Sequence, residues 1–535
     1  MQKMITRGML GHHLTMSCAR MECEHYRPAH IWSADKNGWA GDWEGRTILA
    51  LVSLAKATGK EPAYLEEIMA LIPEKLNARG YIGRIEDGMF NEQQFAGNSW
   101  FLRGLIEYTL LTESNRFVPI IENMVRNLYL PALPYIEAYP LEKYEFLSTY
   151  SGSIVAEHKV WKLSNDIGCL FIAIDGLSHA YELLRWPELH ELLQKMIIHY
   201  FKSDLIGQTM QTHATLSAMR GVLRMCRVQN DPTFLPQAEE RFAVYTEYGM
   251  TENYENCTMF LNPKWTEPCG VVDSFMCCVE LFRLTKKPIY VELSHKILYN
   301  GLFRIHLPNG GFVLDSTAGF LPVDILETRT TNTNAPLEAY WCCTMRGADG
   351  MSYAALNQLY AEKDMLYLLG YHNATLRHDT ISITEKTTFP DIGRVELTIR
   401  APENCGKTLA LFVPSYAKNV QLNNVAVQAE NGFVCVPITE AETNLLLTFD
   451  FTVRFEAPIK ADLRQTYQKV LYGCLVLAAE TDAAVPPFDC AALEPLSPAV
   501  YRVKNSETVL RPLYDMIDRK FEEVTSLKRR ILFEK

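Results

Sequence analysis

From about residue 40 to 360, apolar side chains recur at three- and four-residue steps, the period of helices with one buried face. In one such stretch the apolar positions are Trp100, Leu102, Leu105, Ile106 and Leu110. The pattern predicts helices over Trp43 to Thr58, Ala63 to Asn77, Ala96 to Leu111, Asn115 to Leu128, Asn165 to Leu184 and Trp186 to Phe201. The series continues with Gln211 to Cys226, Pro236 to Tyr245, Val271 to Leu284, Ile289 to Leu302 and Gly347 to Ala361. Paired helices at repeats of about 40 to 50 residues suggest either an open solenoid or a closed double ring. The long polar connections Gly249 to Gly270 and Pro308 to Tyr340 favour a ring with loops gathered over one pocket, because long irregular loops in compact domains are usually functional.

After about residue 362 the period falls to two. Strand-like runs follow at Leu366 to Leu369, Ile381 to Ile383, Arg394 to Ile399, Leu409 to Val413, Phe433 to Val436 and Leu445 to Phe449, bounded by Gly, Pro, Asn and Asp. Val470 to Leu477 reads as one further strand. The predicted class is mainly α with a β domain: an (α/α)6 barrel, or toroid, over residues 1–361, then a β-sandwich over 362–485. Residues 486–535 form a C-terminal extension with a small β/α element, its charged end from Val509 either packing back as a short helix or staying loose.

A chain of 535 residues is long enough for two or three domains. Its net charge of -11 and lack of a long Lys/Arg run argue against nucleic acid and anionic membrane surfaces as partners. Charged residues interrupt the stretch from Met1 to Tyr26, which excludes a secretory signal there, and no segment offers about 18 uninterrupted apolar residues for a membrane span. The expected location is cytoplasmic, where the 14 cysteines would be free thiols or metal ligands rather than a disulfide framework.

Glu267-Pro268-Cys269 and the adjacent Cys342-Cys343 carry the candidate chemistry. Three thiolates and a carboxylate are ligand types that close a tetrahedral zinc site, and thiolate is also a strong nucleophile. Glu-x-Cys in an extended or turning segment points both ligands to one side, and Pro268 disfavours a helix interior. Two adjacent cysteines would bind one ion only from an irregular segment. The competing reading is that they are small buried hydrophobes; spacing alone leaves both open.

The chain resembles glycoside hydrolase family 127, whose characterised members include β-L-arabinofuranosidases. The resemblance runs from about Trp43 to Glu480. It rests, in order, on Asp42-Trp43-Glu44-Gly45-Arg46, Asn91 to Asn98, Ser164 to Gly168, His213-Ala214, Glu252 to Glu255, Glu267-Pro268-Cys269 and Cys342-Cys343. It implies an (α/α)6 barrel holding Zn2+ with Glu267, Cys269, Cys342 and Cys343. It further implies Cys342 as nucleophile and Glu255 as acid/base of a retaining glycosidase acting on plant or glycoprotein-derived oligosaccharides. His213 matches a histidine of the sugar pocket, with a buried or capping histidine as the alternative.

Asn91, Gln94, Trp43 and Tyr340 are candidates to line the substrate site, together with Trp265 and Trp341; core packing is the alternative for any single aromatic. Glu252 competes with Glu255 for the acid/base role. Cys277-Cys278 reads as core, and Cys257 as an inert thiol. Two departures bear on the sugar: Asn91 and Asn98 stand where characterised members tend to carry histidine, and Thr344 follows the cysteine pair where most carry proline. A lyase or epimerase of the same architecture, or a degenerate sugar-binding protein, remains the alternative function. Whether the chain forms a homodimer through its β-region is open.

Overall fold

The structure is a computed structural model that describes residues 5–33, 38–144, 152–262, 265–316 and 325–535. Parts of both long connections, residues 263–264 and 317–324, lie outside the described residues.

Six helices contact one another in cyclic order: Asp42–Thr58, Glu92–Thr112, Ala173–Leu184, Thr212–Gln229, Pro268–Thr285 and Cys343–Leu356, the last packing back on the first. Their residues are buried around nearly the whole circumference, as expected for helices with neighbours on every side. Gly45 permits the closest of these approaches, since a Cβ there would lie 2.1 Å from the Phe101 backbone nitrogen. Outer helices lie against this set. Leu65–Lys75 covers Asp42–Thr58, Val118–Met124 covers Glu92–Thr112, and Pro187–Lys202 lies on Ala173–Leu184 and Thr212–Gln229. Leu235–Tyr248 lies on Thr212–Gln229 and Pro288–Ile297 on Pro268–Thr285, and Gly8–Met21 packs on both Cys343–Leu356 and Asp42–Thr58.

Gly8–Met21 had no counterpart among the predicted helices. His12, His13 and Arg20 break its apolar stripe, and its buried face includes His13 and Ser17. Two predicted boundaries also move. The helix expected from Gly347 begins at Cys343 and ends at Leu356, with Leu359–Glu362 already a strand. The helix expected from Val271 begins at Pro268, where the missing N–H costs nothing because first-turn amides have no intrahelical partner.

The β-region contains an antiparallel sheet that runs Ile5–Thr6, Ala374–His378, Ile381–Thr387, Gly393–Arg400, Glu442–Asp450, Lys418–Leu422 and Val425–Ala426. Val395, Leu397 and Ile399 on one strand are buried while Arg394, Glu396 and Arg400 are exposed, the alternation of a sheet with one covered face. A four-stranded sheet includes the parallel pair Met365–Leu368 and Thr408–Phe412. A nine-stranded sheet joins Val453–Glu456 and later strands to Leu493–Ser497, Val500–Val503 and Val509–Pro512.

Val470 to Leu477, read as one strand, is the heart of a hairpin. Tyr467–Tyr472 and Leu475–Ala479 pair antiparallel about a turn in which Gly473 has φ +58°. The charged C-terminus is anchored by strand pairing, Phe533 with Gln468 and Arg529 with Leu326, so it ties the β-region to a strand from the helical half.

Candidate active site

The inner helices share a polarity that organises the molecule. Asp42, Gln94, His213, Cys269 and Cys343 all lie in first turns, while Lys56, Glu107, Arg227, Arg283 and Leu356 lie at the opposite ends. The thiol cluster is built at the ends where backbone N–H groups point outward and the helix dipoles are positive, an environment that favours thiolate.

Glu267 is the residue before the Pro268–Thr285 helix, with extended backbone (φ −128°, ψ 104°), and Cys269 is the second residue inside it. Cys342 occupies the corresponding position before Cys343–Leu356, with φ −149° and ψ −59°, and Cys343 begins the helix. The adjacent cysteines thus straddle a helix start, which provides the irregular geometry that regular structure would deny them. The Cys269 and Cys343 sulfurs are 3.3 Å apart, as are those of Cys342 and Cys343. All three lie within 4.8 Å of one another, and an overlapping group of His213, Glu267 and Cys269 satisfies the same limit. Cys342 is partly exposed and the other two are buried.

Burial opposes ionisation of Cys269, but hydrogen bonds with Cys342 and Cys343 and the charge of Arg46 overcome it and hold this thiol well below the ordinary range. The hydrogen bond with Cys269 pushes Cys342 up, and burial does the same to Cys343. Burial, then the Cys269 charge, raises the Glu267 carboxyl well above its usual value. A cation among these donors would remove the conflict.

A second layer was not foreseen. Arg46 donates from Nη1 to the Cys269 sulfur at 3.4 Å, from Nη2 to His213 Nε2 at 3.4 Å, and from Nε to Asp42 at 2.8 Å. Its guanidinium lies over Trp100, 4.3 Å from the ring centroid. His213 is buried, with Nδ1 3.0 Å from Asp273, and it lies beside Glu267 and Cys269. Asp273 is in turn held by Ser217, Arg220 and Arg346. The i, i+4 pair Asp42/Arg46 at a helix start was the available signal.

Asn91 caps the Glu92–Thr112 helix, its side chain accepting from the amides of Gln93 and Gln94. Gln94 donates to the Arg84 carbonyl at 2.8 Å. Both line a cavity of about 650 Å³ whose wall also includes Trp39, Glu44, Lys75 and Arg84. Trp43 and Tyr340 are not among its lining residues. They pack together at 5.9 Å between ring centroids, with His25 stacked at 4.1 Å on Tyr340, which stands two residues before Cys342. Tyr340 is tied to the N-terminal segment by the Tyr26 hydroxyl, which donates to its carbonyl. Trp265 lies under Arg329.

Glu252 and Glu255 separate clearly. Glu252 accepts from the backbone amides of Ile459 and Lys460, each at 2.8 Å, and pairs with Lys469 at 3.0 Å, so both its oxygens serve to dock the β-region. Glu255 accepts from Asn253 through Oε1 at 2.7 Å, and its buried Oε2 has no partner among the described residues. Burial, then the neighbouring Asp315, raises Glu255 well above the usual carboxylate range, with Arg304 opposing. These perturbing groups are distinct from the thiol cluster, which has Glu267 beside it. Cys277 and Cys278 are fully buried, and burial pushes Cys257 up to about 12, so none of the three competes as a nucleophile.

The three thiols fit a zinc ion, with Glu267 in the overlapping group at Cys269. Tetrahedral zinc with sulfur at about 2.3 Å requires sulfurs about 3.8 Å apart, and the 3.3 Å contacts here need only small expansion.

No protein-family model matches the chain, and no curated protein matches its sequence. Solved structures do match in fold. A β-arabinofuranosidase of glycoside hydrolase family 127 aligns with TM-score 0.71 and 14% identity over 99% of this chain and 96% of its own. A glycoside hydrolase aligns with TM-score 0.70 and 14% identity over 99% and 96%. The family 127 β-L-arabinofuranosidase of Geobacillus stearothermophilus T6 aligns with TM-score 0.68 and 12% identity over the whole of both chains. The fold resemblance to this family therefore extends over essentially the whole molecule, an α domain plus a β domain.

Proposed function

We propose that this protein is a retaining glycoside hydrolase, β-L-arabinofuranosidase-like, in which Cys342 is the nucleophile and Glu255 the acid/base. The observation that carries the reading is the convergence of Cys269, Cys342 and Cys343 at two helix starts within a fold shared with named β-arabinofuranosidases. We read the cyclic helix contacts as an (α/α)6 toroid over residues 1–361. The β-region over 362–485 is read as a sandwich, with 486–535 as an extension that shares a sheet with it.

Zinc would be held by Glu267, Cys269, Cys342 and Cys343, and would supply charge stabilisation that keeps the cysteines as thiolates at neutral pH. The thiolate of Cys342, the most exposed of the three, attacks the anomeric carbon. As the C–S bond forms, the bond to the departing oxygen breaks, and protonated Glu255 gives that oxygen its proton. In the second half, ionised Glu255 takes a proton from water, whose oxygen displaces the sulfur and restores the thiolate. Two displacements leave the anomeric configuration unchanged, as in the two-carboxylate retaining scheme. Arg46 holds Cys269, and His213 is held by Asp273, so that the donors keep their places.

The substrate expected is an oligosaccharide or glycoside from plant or glycoprotein sources. Among the described residues no helix is long and apolar enough to cross a membrane. All 14 cysteines are free, and a cytoplasmic location is the expected setting. Homodimerisation is a matter for sizing in solution. The test is a panel of aryl furanosides and pyranosides given to reduced, zinc-loaded protein, with the first-formed anomer read by NMR. Retention supports the reading. Inversion contradicts it, and a product lacking the mass of added water identifies a lyase or epimerase instead.

A further inference from the structure

At the opposite ends of the inner helices lies a second, smaller cavity of about 200 Å³, lined by Lys56, Arg103, Arg220, Arg224, Arg227 and Arg283 together with acidic partners. Helix C-termini favour cations, which accounts for Lys56, Arg227 and Arg283 in last turns, whereas Arg103, Arg220 and Arg224 stand deeper in their helices. The ion pairs do not close. Asp175 lies within ion-pair distance of three guanidiniums, Arg103 at 3.1 Å, Arg220 at 3.4 Å and Arg224 at 2.6 Å. Asp273 is shared between Arg220 and Arg346, and Arg346 also reaches Asp349. Among the described residues, four guanidiniums thus meet three carboxylates. The other cations of the wall are matched, Lys56 with Glu107, Arg227 with Glu182 and Arg283 with Glu280. One positive charge is left over in a buried network.

Two buried side-chain nitrogens on this wall are also without a hydrogen-bond partner among the described residues. Arg103, 4% exposed, has no acceptor at Nε, and His179, 5% exposed, has no partner at Nδ1. Arg224 makes all its hydrogen bonds through Nη1 alone, although it reaches the cavity. Burial, with Arg220 adding to it and Asp175 opposing, lowers Arg103 to about 10, and burial, with Arg224 adding to it, lowers His179 to about 3.

We propose that this cavity binds one small oxyanion of the phosphate or sulfate class, held by Arg103, Arg220 and Arg224. A single tetrahedral anion supplies several acceptors to forked guanidinium donors and neutralises the unmatched charge. The assignment stands independently of the glycosidase reading.

The test is isothermal titration calorimetry of the full-length protein with inorganic phosphate and, separately, sulfate, against chloride at equal ionic strength. One oxyanion per chain is expected, with affinity at least about tenfold weaker in Arg224→Gln. Arg224 is at the rim of the network, and Arg103→Lys, which keeps the charge but removes the fork, provides a second variant that should weaken binding. Absence of oxyanion binding to the wild type overturns the proposal. So does binding unchanged in both variants, or displacement by chloride at equal concentration.

Discussion

Cys269 and Cys343 are 74 residues apart in the chain and 3.3 Å apart at sulfur. Each sits in the first turn of one of two helices that pack on one another, so the contact is a product of tertiary structure. If these sulfurs hold zinc, elemental analysis of purified, reduced protein will give about one zinc per chain, and Cys269→Ala will give far less. At zinc 100-fold above its Kd the ion adds about 2.7 kcal/mol of stability. Chelation should therefore lower the melting temperature of the wild type and leave that of Cys269→Ala nearly unchanged.

Arg46 links Asp42, Cys269 and His213 from a buried position. Arg46→Met leaves Asp42 buried without its counter-charge, and losing one partner of such a pair costs about 3–5 kcal/mol. Urea unfolding should show a matching loss, and an unchanged midpoint would contradict the proposed role.

Glu92 is a buried carboxyl that burial lifts to about 7, although Tyr139 and the amides of Ser164 and Leu170 donate to it. Its folded value is above the ordinary 4.5, so the folded state holds the extra proton between the two. Its contribution to stability is complete below about 4.5 and is lost as pH rises through about 7. Glu92→Gln, which cannot ionise, should flatten the fall in melting temperature across this window. A pH profile identical to the wild type would refute the assignment.

Glu255→Gln should reduce turnover of glycosides with poor leaving groups by about 10²–10⁴-fold. It should affect activated aryl glycosides much less in the first step, because those need no proton. Glu252→Gln should behave differently, with loss of stability through its contacts to Lys469 and the Ile459 and Lys460 amides. If Glu255→Gln slows neither substrate, the acid is elsewhere, and Glu267→Gln becomes the comparison.

Much of this architecture is legible in the residue pattern. Helices such as Pro187–Lys202 and strands such as Gly393–Arg400 carry an apolar period strong enough to be read directly. Gly8–Met21 was missed because its buried face is partly polar and closes on a distant partner, His13 meeting His306 across 293 residues. The hairpin at Gly473 was hidden because the run from Val470 to Leu477 that crosses the turn has no charged or amide side chain, which leaves no alternation to mark it. In the site, the candidate ligands were visible as residue types. The Arg46–His213–Asp273 network was not, because its members come from three helices and no local spacing relates them.

Turnover by Cys342→Ala decides whether this thiol is the nucleophile, measured on whichever glycoside the zinc-loaded wild type hydrolyses fastest, with folding verified by circular dichroism. Loss of activity by about 10³-fold or more is the expected result for removal of a nucleophile. Wild-type turnover in that variant would show that the glycosidic bond is broken without it.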